Sequence, residues 1–208
     1  MKKFKMFLSL TSEENWINSI QESGYRLTKI NAFLHCYTFK ALTDDQFNPY
    51  VRLDFREKGM SKEKYAEYKT LFSDSGWQLL KECRSGGTQY FQQKSPEVSR
   101  EIFSDTDSRV GLRKRYIRFS YMYGVLFLLY SMLMFKNSAG INLLNFRSWY
   151  FTPGIWQMSG IQFWRAFIFE SPIVIFRILP PFVLIFFGFY YLLRALVNEK
   201  PSGSSSRV

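Results

Sequence analysis

Two long apolar runs decide which solvent the second half of this chain must fold in. From Phe119 to Phe135, 17 consecutive residues carry no charge, and Ile178 to Leu193 is equally bare, with Arg177 and Arg194 at its edges. About 20 apolar residues cross a bilayer core, and flanking arginines reach water along their aliphatic stems. The pattern predicts two membrane-spanning helices, at 116–136 and 172–197. A buried hairpin of a soluble protein is the competing reading, but no other segment has enough apolar surface to cover both runs. Pro180-Pro181 would break a helix interior in water. Near the start of a membrane helix they are tolerable, because the first amides lack partners anyway.

Charge sets the expected orientation. The chain is basic, with 28 Lys/Arg against 17 Asp/Glu and a net charge of +11. Such a balance suits nucleic acid or an anionic membrane surface. The densest cluster, Arg113, Lys114 and Arg115 with Arg118, lies directly before the first apolar run, which favours the membrane interface. The N-terminal half has interspersed acids and no evident basic face, so nucleic acid is not an expected partner. Arg109, Arg113, Lys114, Arg115 and Arg118 precede the first span, and Arg194, Lys200 and Arg207 follow the second. Lys136, Arg147, Arg165 and Arg177 lie between them. Eight basic residues outside the connecting segment against four within it place both termini in the cytoplasm.

The connecting segment, 137–171, is rich in rings: Trp149, Trp156 and Trp164, with Phe146, Tyr150, Phe151, Phe163, Phe167 and Phe169. Trp and Tyr favour the headgroup region, so the segment is expected to lie in the outer interface, with a short helix at 160–170. It serves there as an anchor or as a docking surface for another membrane protein or an amphipathic peptide. The Ser/Gly-rich tail, 198–208, is expected to lack structure.

The first 96 residues carry an internal repeat with an offset of 52. Trp16 matches Tyr68, Ile20 matches Phe72, Ser23-Gly24-Tyr25 matches Ser75-Gly76-Trp77, and Phe39 matches Phe91. Four coincidences in one register argue for two units of one design. Each unit reads strand, helix, strand, strand. In the first, 3–10 alternates as a strand, Thr11 or Ser12 caps a helix bearing Trp16, Ile17 and Ile20, and Gly24 ends it. Residues 25–30 and 32–40 then form a hairpin. In the second, 50–56 is the strand and Ser61 precedes a helix bearing Tyr65, Tyr68, Leu71 and Phe72. Gly76 stops that helix, and 77–83 with 88–93 form a hairpin around Ser85-Gly86-Gly87. The expected fold is α+β: a duplicated strand-helix-strand-strand cytoplasmic domain, its helices packed on one face of a sheet, followed by two transmembrane helices. Residues 97–115 read as a linker and juxtamembrane helix, with Ser104 and Asp107 as a capping box.

An ordered set of motifs carries a resemblance. They are the N-terminal Phe/Lys strand, Trp16 with Gly24-Tyr25-Arg26-Leu27, and Val51-Arg52-Leu53-Asp54-Phe55-Arg56. Tyr65, Tyr68, Leu71-Phe72, Gly76-Trp77, Tyr90-Phe91, Ile102-Phe103-Ser104-Asp105 and Ser108 follow. Over residues 3–115 the chain resembles an uncharacterised family of Gram-positive bacterial membrane proteins, a domain of unknown function. The resemblance implies genes placed beside PadR-type transcription regulators, and it implies no activity. The doubled layout is also similar to that of GyrI-like effector-binding domains, and layout alone does not fix function.

Catalytic patterns are sparse. Cys36 and Cys83 form no CxxC, and His35 is the single histidine. Cys36 adjoins His35 on a predicted strand, so the two side chains point to opposite faces, and a structural role is expected for both. Gly86-Gly87 lacks the Lys-Ser/Thr of a phosphate loop. No metal and no cofactor is expected, and the chain reads as a non-enzyme. Arg52, Asp54 and Arg56 alternate with Val51, Leu53 and Phe55. They read as a solvated sheet face that pairs across strands or as a polar floor for a ligand or partner. The expected role is regulatory or adaptor, with a cytoplasmic domain that binds a protein or small ligand and spans that contact a partner such as a transporter. The alternative is immunity against a membrane-active peptide or toxin.

Overall fold

The computed structural model describes residues 1–31, 34–43, 47–103, 105–137 and 145–199. Two units emerge, one made of Met1–Phe119 with the chain from Arg194 onward, the other of Ser120–Leu193. Ser104, expected in a capping box, and the tail from 200 lie outside the described residues, as does part of the connecting segment, 138–144.

The first unit realises the repeat. Its elements are β1 (Lys2–Phe4), α1 (Leu10–Glu22), β2 (Tyr25–Asn31), β3 (Cys36–Ala41), β4 (Val51–Arg56), α2 (Lys62–Asp74), β5 (Trp77–Leu79) and β6 (Gly87–Gln93). The two helices are offset by 52 residues at both ends. Strand pairing repeats too: Tyr25 faces Ala41 as Trp77 faces Gln93, and Leu27 faces Phe39 as Leu79 faces Phe91. Ser9 and Ser61 occupy equivalent caps, accepting the amides of Ser12 and Lys64. Ser9, rather than Thr11 or Ser12, therefore starts α1, and the first strand is shorter than its alternation suggests. Gly24 and Gly76 follow the two helices at φ +86 and +84, the left-handed conformation that glycine adopts without steric cost.

One continuous sheet does not form. The strands make two antiparallel sheets of three, ordered β1-β3-β2 and β4-β6-β5. The outer edge of β4 explains the division, because side chains take up its amides. Asn18 of α1 accepts from Val51 N at 2.8 Å and donates to Val51 O at 3.0 Å. Glu14 accepts from Leu53 N at 2.6 Å, and Asp54 accepts from Phe55 N at 2.8 Å. An edge whose outward amides are taken up this way has no donor to offer another strand.

Helix α1 packs on both β2 and β4. Ile17, Leu27, Tyr37, Phe39, Val51, Leu53, Phe55 and Tyr90 share its core with Tyr116. A second core holds Tyr65, Tyr68, Phe72, Trp77 and Phe91, with Val98, Ile102 and Phe103 packed against it. Residues of the expected linker thus take part in the packing of this unit. The second sheet is covered on both faces, and that places the Asp54 side of β4 under α2.

Two helices cross from the first unit into the second: α3 (Thr106–Asn137, 32 residues) and α4 (Gly160–Glu199, 40 residues). At about 1.5 Å per residue, each exceeds the roughly 30 Å of a bilayer core. Both are apolar enough to cross a membrane, and most of their apolar surface faces outward. Helix α4 begins at Gly160, so the expected short helix at 160–170 is its first part. Pro172, Pro180 and Pro181 accordingly sit in its interior. Ser131 donates to Pro181 O at 3.0 Å, the kind of side-chain bond that supports a proline-interrupted membrane helix.

Within the second unit, α3 and α4 approach closely at two glycines. A Cβ at Gly124 would lie 2.8 Å from a Leu192 methyl, and one at Gly188 would lie 2.7 Å from a Leu128 methyl. Small residues let membrane helices pack backbone against backbone. Gly124→Leu should therefore splay the pair, at about 1–3 kcal/mol. Cysteine pairs across the two helices should cross-link more slowly in the variant; unchanged cross-linking would refute the packing.

The described part of the connecting segment folds onto the start of α4. Tyr150 stacks on Phe167 at 5.3 Å, Phe163 on Phe167 at 5.4 Å, and Trp156 meets Tyr150 edge-on. Glu170, 5% exposed, accepts the amides of Phe151 and Thr152. Trp156 donates to Arg147 O at 3.2 Å. Trp149 is half-buried with its ring near Phe182, and Trp164 is exposed.

Candidate functional site: a cavity and three carboxylates

Helix α1 carries polar residues on its buried face. Leu10, Glu13, Ile17, Ile20 and Gln21 recur at helical spacing, and all five are buried. Tyr37 and Tyr90 donate to Glu13, the former at 2.7 Å. Burial pushes the Glu13 carboxyl up, against the two hydroxyls and the charge of Arg194. The Arg194 guanidinium lies 3.8 Å from the centre of the Tyr116 ring, a cation–π contact within this unit.

Asp54 anchors a second group and is fully buried. Its Oδ2 accepts from the Tyr68 hydroxyl at 2.8 Å and lies 2.9 Å from Arg56 Nε. Its Oδ1 accepts from Phe55 N and lies 3.3 Å from Arg115. Arg115 also donates to Phe55 O at 3.1 Å, and Arg56 covers the Tyr68 ring. Burial, then the Asp54 charge, pushes the Tyr68 hydroxyl well up. The network ties β4 to α2 and α3.

Glu14 belongs to the third group. Arg52 Nη1 lies 3.4 Å from Glu14, Arg52 Nη2 lies 3.0 Å from Glu101, and Arg109 lies 3.2 Å from the other oxygen of Glu101. Arg52 Nε donates to Arg100 O at 2.8 Å. Burial pushes the Glu14 carboxyl up to about 7, although the Leu53 amide and Arg52 pull it down. Glu14, Arg52, Glu101 and Arg109 border a cavity of about 720 Å³, within the range of small-molecule sites. Its apolar wall comes mainly from Leu10, Leu53, Phe103, Val110, Tyr116 and Val197. Arg113 lines it too and donates to Asn198 O.

The structure thus divides the polar face of β4. Arg52 borders the cavity, Asp54 is buried beneath α2, and Arg56 pairs with Asp54 at partial exposure. The basic cluster ahead of the apolar run spends much of its charge on protein. Arg113, Arg115 and Arg118 bond Asn198, Asp54 and Glu57, while Lys114 is exposed. His35 sits in the β2–β3 turn at φ +48 rather than on the expected strand, and burial lowers its pKa. Glu14, Glu101 and Arg109 escape sequence reasoning as a site, because three separate elements supply them. The usable signal is the acid pair Glu13-Glu14 on a helix whose neighbouring positions are apolar.

Residues 9–128 match the family described as Protein of unknown function (DUF2812). The chain belongs to this family. No curated protein and no solved structure matches it. The DUF2812 match runs from the cap of α1 through β2 to β6 and into the apolar part of α3, leaving β1 outside it. It takes in every cavity-lining residue except Val197 and Asn198.

Proposed function

We propose that this chain is a non-enzymatic, membrane-anchored regulatory or adaptor protein. Its α+β unit faces the cytoplasm and binds a small ligand or protein, and its two spans contact a membrane partner such as a transporter. One observation carries the reading. The cavity is lined by α1 and β4 and also by Arg109, Val110, Arg113 and Tyr116 of α3 and Val197 of α4. The two helices that meet an occupant are those that continue as the apolar segments, so occupancy and the spans share the same elements. The basic residues outside the connecting segment support cytoplasmic termini. A Gram-positive source and a gene beside a PadR-type regulator fit such a role.

Co-purification from native membranes tests it. A membrane protein in stoichiometric yield is the expected result, and its absence would count against the adaptor role. The exposed rings of Phe146, Trp164 and Phe169 favour a second reading, interception of a membrane-active peptide. Replacing Trp149, Trp156 and Trp164 by Ser separates the two: immunity predicts lost protection with partner binding intact.

A further inference from the structure

Glu101 sits at the cavity rim between two cations. Its two oxygens divide between Arg52 at 3.0 Å and Arg109 at 3.2 Å, and its side chain is 50% exposed. One half-exposed carboxylate therefore fills a seat between two guanidinium groups, the arrangement by which arginines hold carboxylates and phosphates. Behind the seat the wall is apolar, with Leu10, Leu53, Phe103 and Val110.

We propose that this cavity binds an amphipathic anion, whose carboxylate or phosphate displaces Glu101 from Arg52 and Arg109 while its apolar part lies along that wall. The proposal rests on reading the cavity as a ligand site and names the class of ligand. Charge complementarity selects an anion over a cation. Arg52, Arg109 and Arg113 outnumber Glu14 and Glu101 at the cavity. The oxygens of Glu14 are already engaged by Leu53 N and Arg52, and with its carboxyl near 7 it is partly neutral at physiological pH. The first turn of α1, at Leu10–Ser12, also borders the space and adds the positive end of a helix dipole. Glu101 acts as a tethered competitor, released when the ligand arrives.

The test uses the full-length protein in phosphatidylcholine nanodiscs and radiolabelled decanoate. Saturable binding at one site per chain is expected, with displacement by decyl phosphate and none by decylamine or decanol. Glu101→Gln removes the competitor and should raise affinity about tenfold, whereas Arg109→Gln should lower it about tenfold. Both side chains are half-exposed, so neither change threatens the fold. Nanodiscs doped with phosphatidylglycerol identify the source: competition points to a lipid headgroup, and its absence points to a soluble acid. Binding without saturation, equal displacement by decylamine, or unchanged affinity in Glu101→Gln would overturn the proposal. No membrane partner is present in this assay. A chain that binds decanoate yet co-purifies with nothing loses the adaptor role and keeps its ligand class, and the reverse result does the opposite.

Discussion

Asp54→Ala should cost about 2–4 kcal/mol of stability, less than breaking a fully buried ion pair from one side, because water reaches the Arg56 and Arg115 that remain. The carboxylate is fully buried and meets Tyr68, Arg56, Arg115 and the Phe55 amide. Its removal leaves the Tyr68 hydroxyl and the Phe55 amide without their acceptor, and the partly exposed Arg115 and Arg56 guanidinium groups without their counter-charge. It also unlatches α2 and α3 from β4 together. Thermal unfolding of the full-length protein in detergent, followed by circular dichroism, should show the midpoint of the α+β unit falling by many degrees. Asp54→Asn keeps the shape and one acceptor but loses the charge, and should fall between wild type and Ala. If Ala were nearly neutral, the network would have no role in holding these elements together.

Glu14→Gln should have the opposite sign, and its size should depend on pH. The folded carboxyl titrates near 7 and the unfolded one near 4.5. The folded state therefore holds this proton more tightly, and ionising Glu14 disfavours folding. That cost is absent below about pH 4.5, grows as pH rises, and is complete above about pH 7. A separation of this size corresponds to about 3 kcal/mol. The substituted amide would keep an acceptor for Leu53 N and remove the titration. The variant and wild type should unfold alike at pH 4.5 in urea, and the variant should be the more stable by about 3 kcal/mol at pH 8. Comparing the two proteins cancels the titrations of Glu13 and His35, which they share. A gap independent of pH would show that Glu14 does not carry the shifted proton.

Much of the local architecture was legible without coordinates. The offset of 52 located both helices and both hairpins, because duplicated apolar spacing, caps and glycine stops are local signals. The sequence leaves the cap of α1 open among Ser9, Thr11 and Ser12, hydroxyl residues within four positions, and only the helix geometry selects Ser9 over the expected Thr11 or Ser12. The alternation of Val51–Arg56 revealed β4 and its apolar side, but not the fate of the polar side. A strand pattern describes one sheet face at a time, and it carries no information that α2 will cover the other. The cavity was invisible for a related reason. Glu14, Arg52, Glu101 and Arg109 lie on α1, β4, the segment before α3, and α3, and no spacing rule connects them.

By itself, then, the chain's order of residues determined the duplicated units, the helix stops, and two helices whose uncharged length suits a bilayer, because each depends on neighbours within a few turns. Tertiary structure decided that the strands form two sheets, that Asp54 is buried, and that Arg52 and Arg109 share the Glu101 carboxylate. Those outcomes depend on which side chains satisfy the exposed edge and faces of β4, and that is settled by contacts between residues dozens of positions apart.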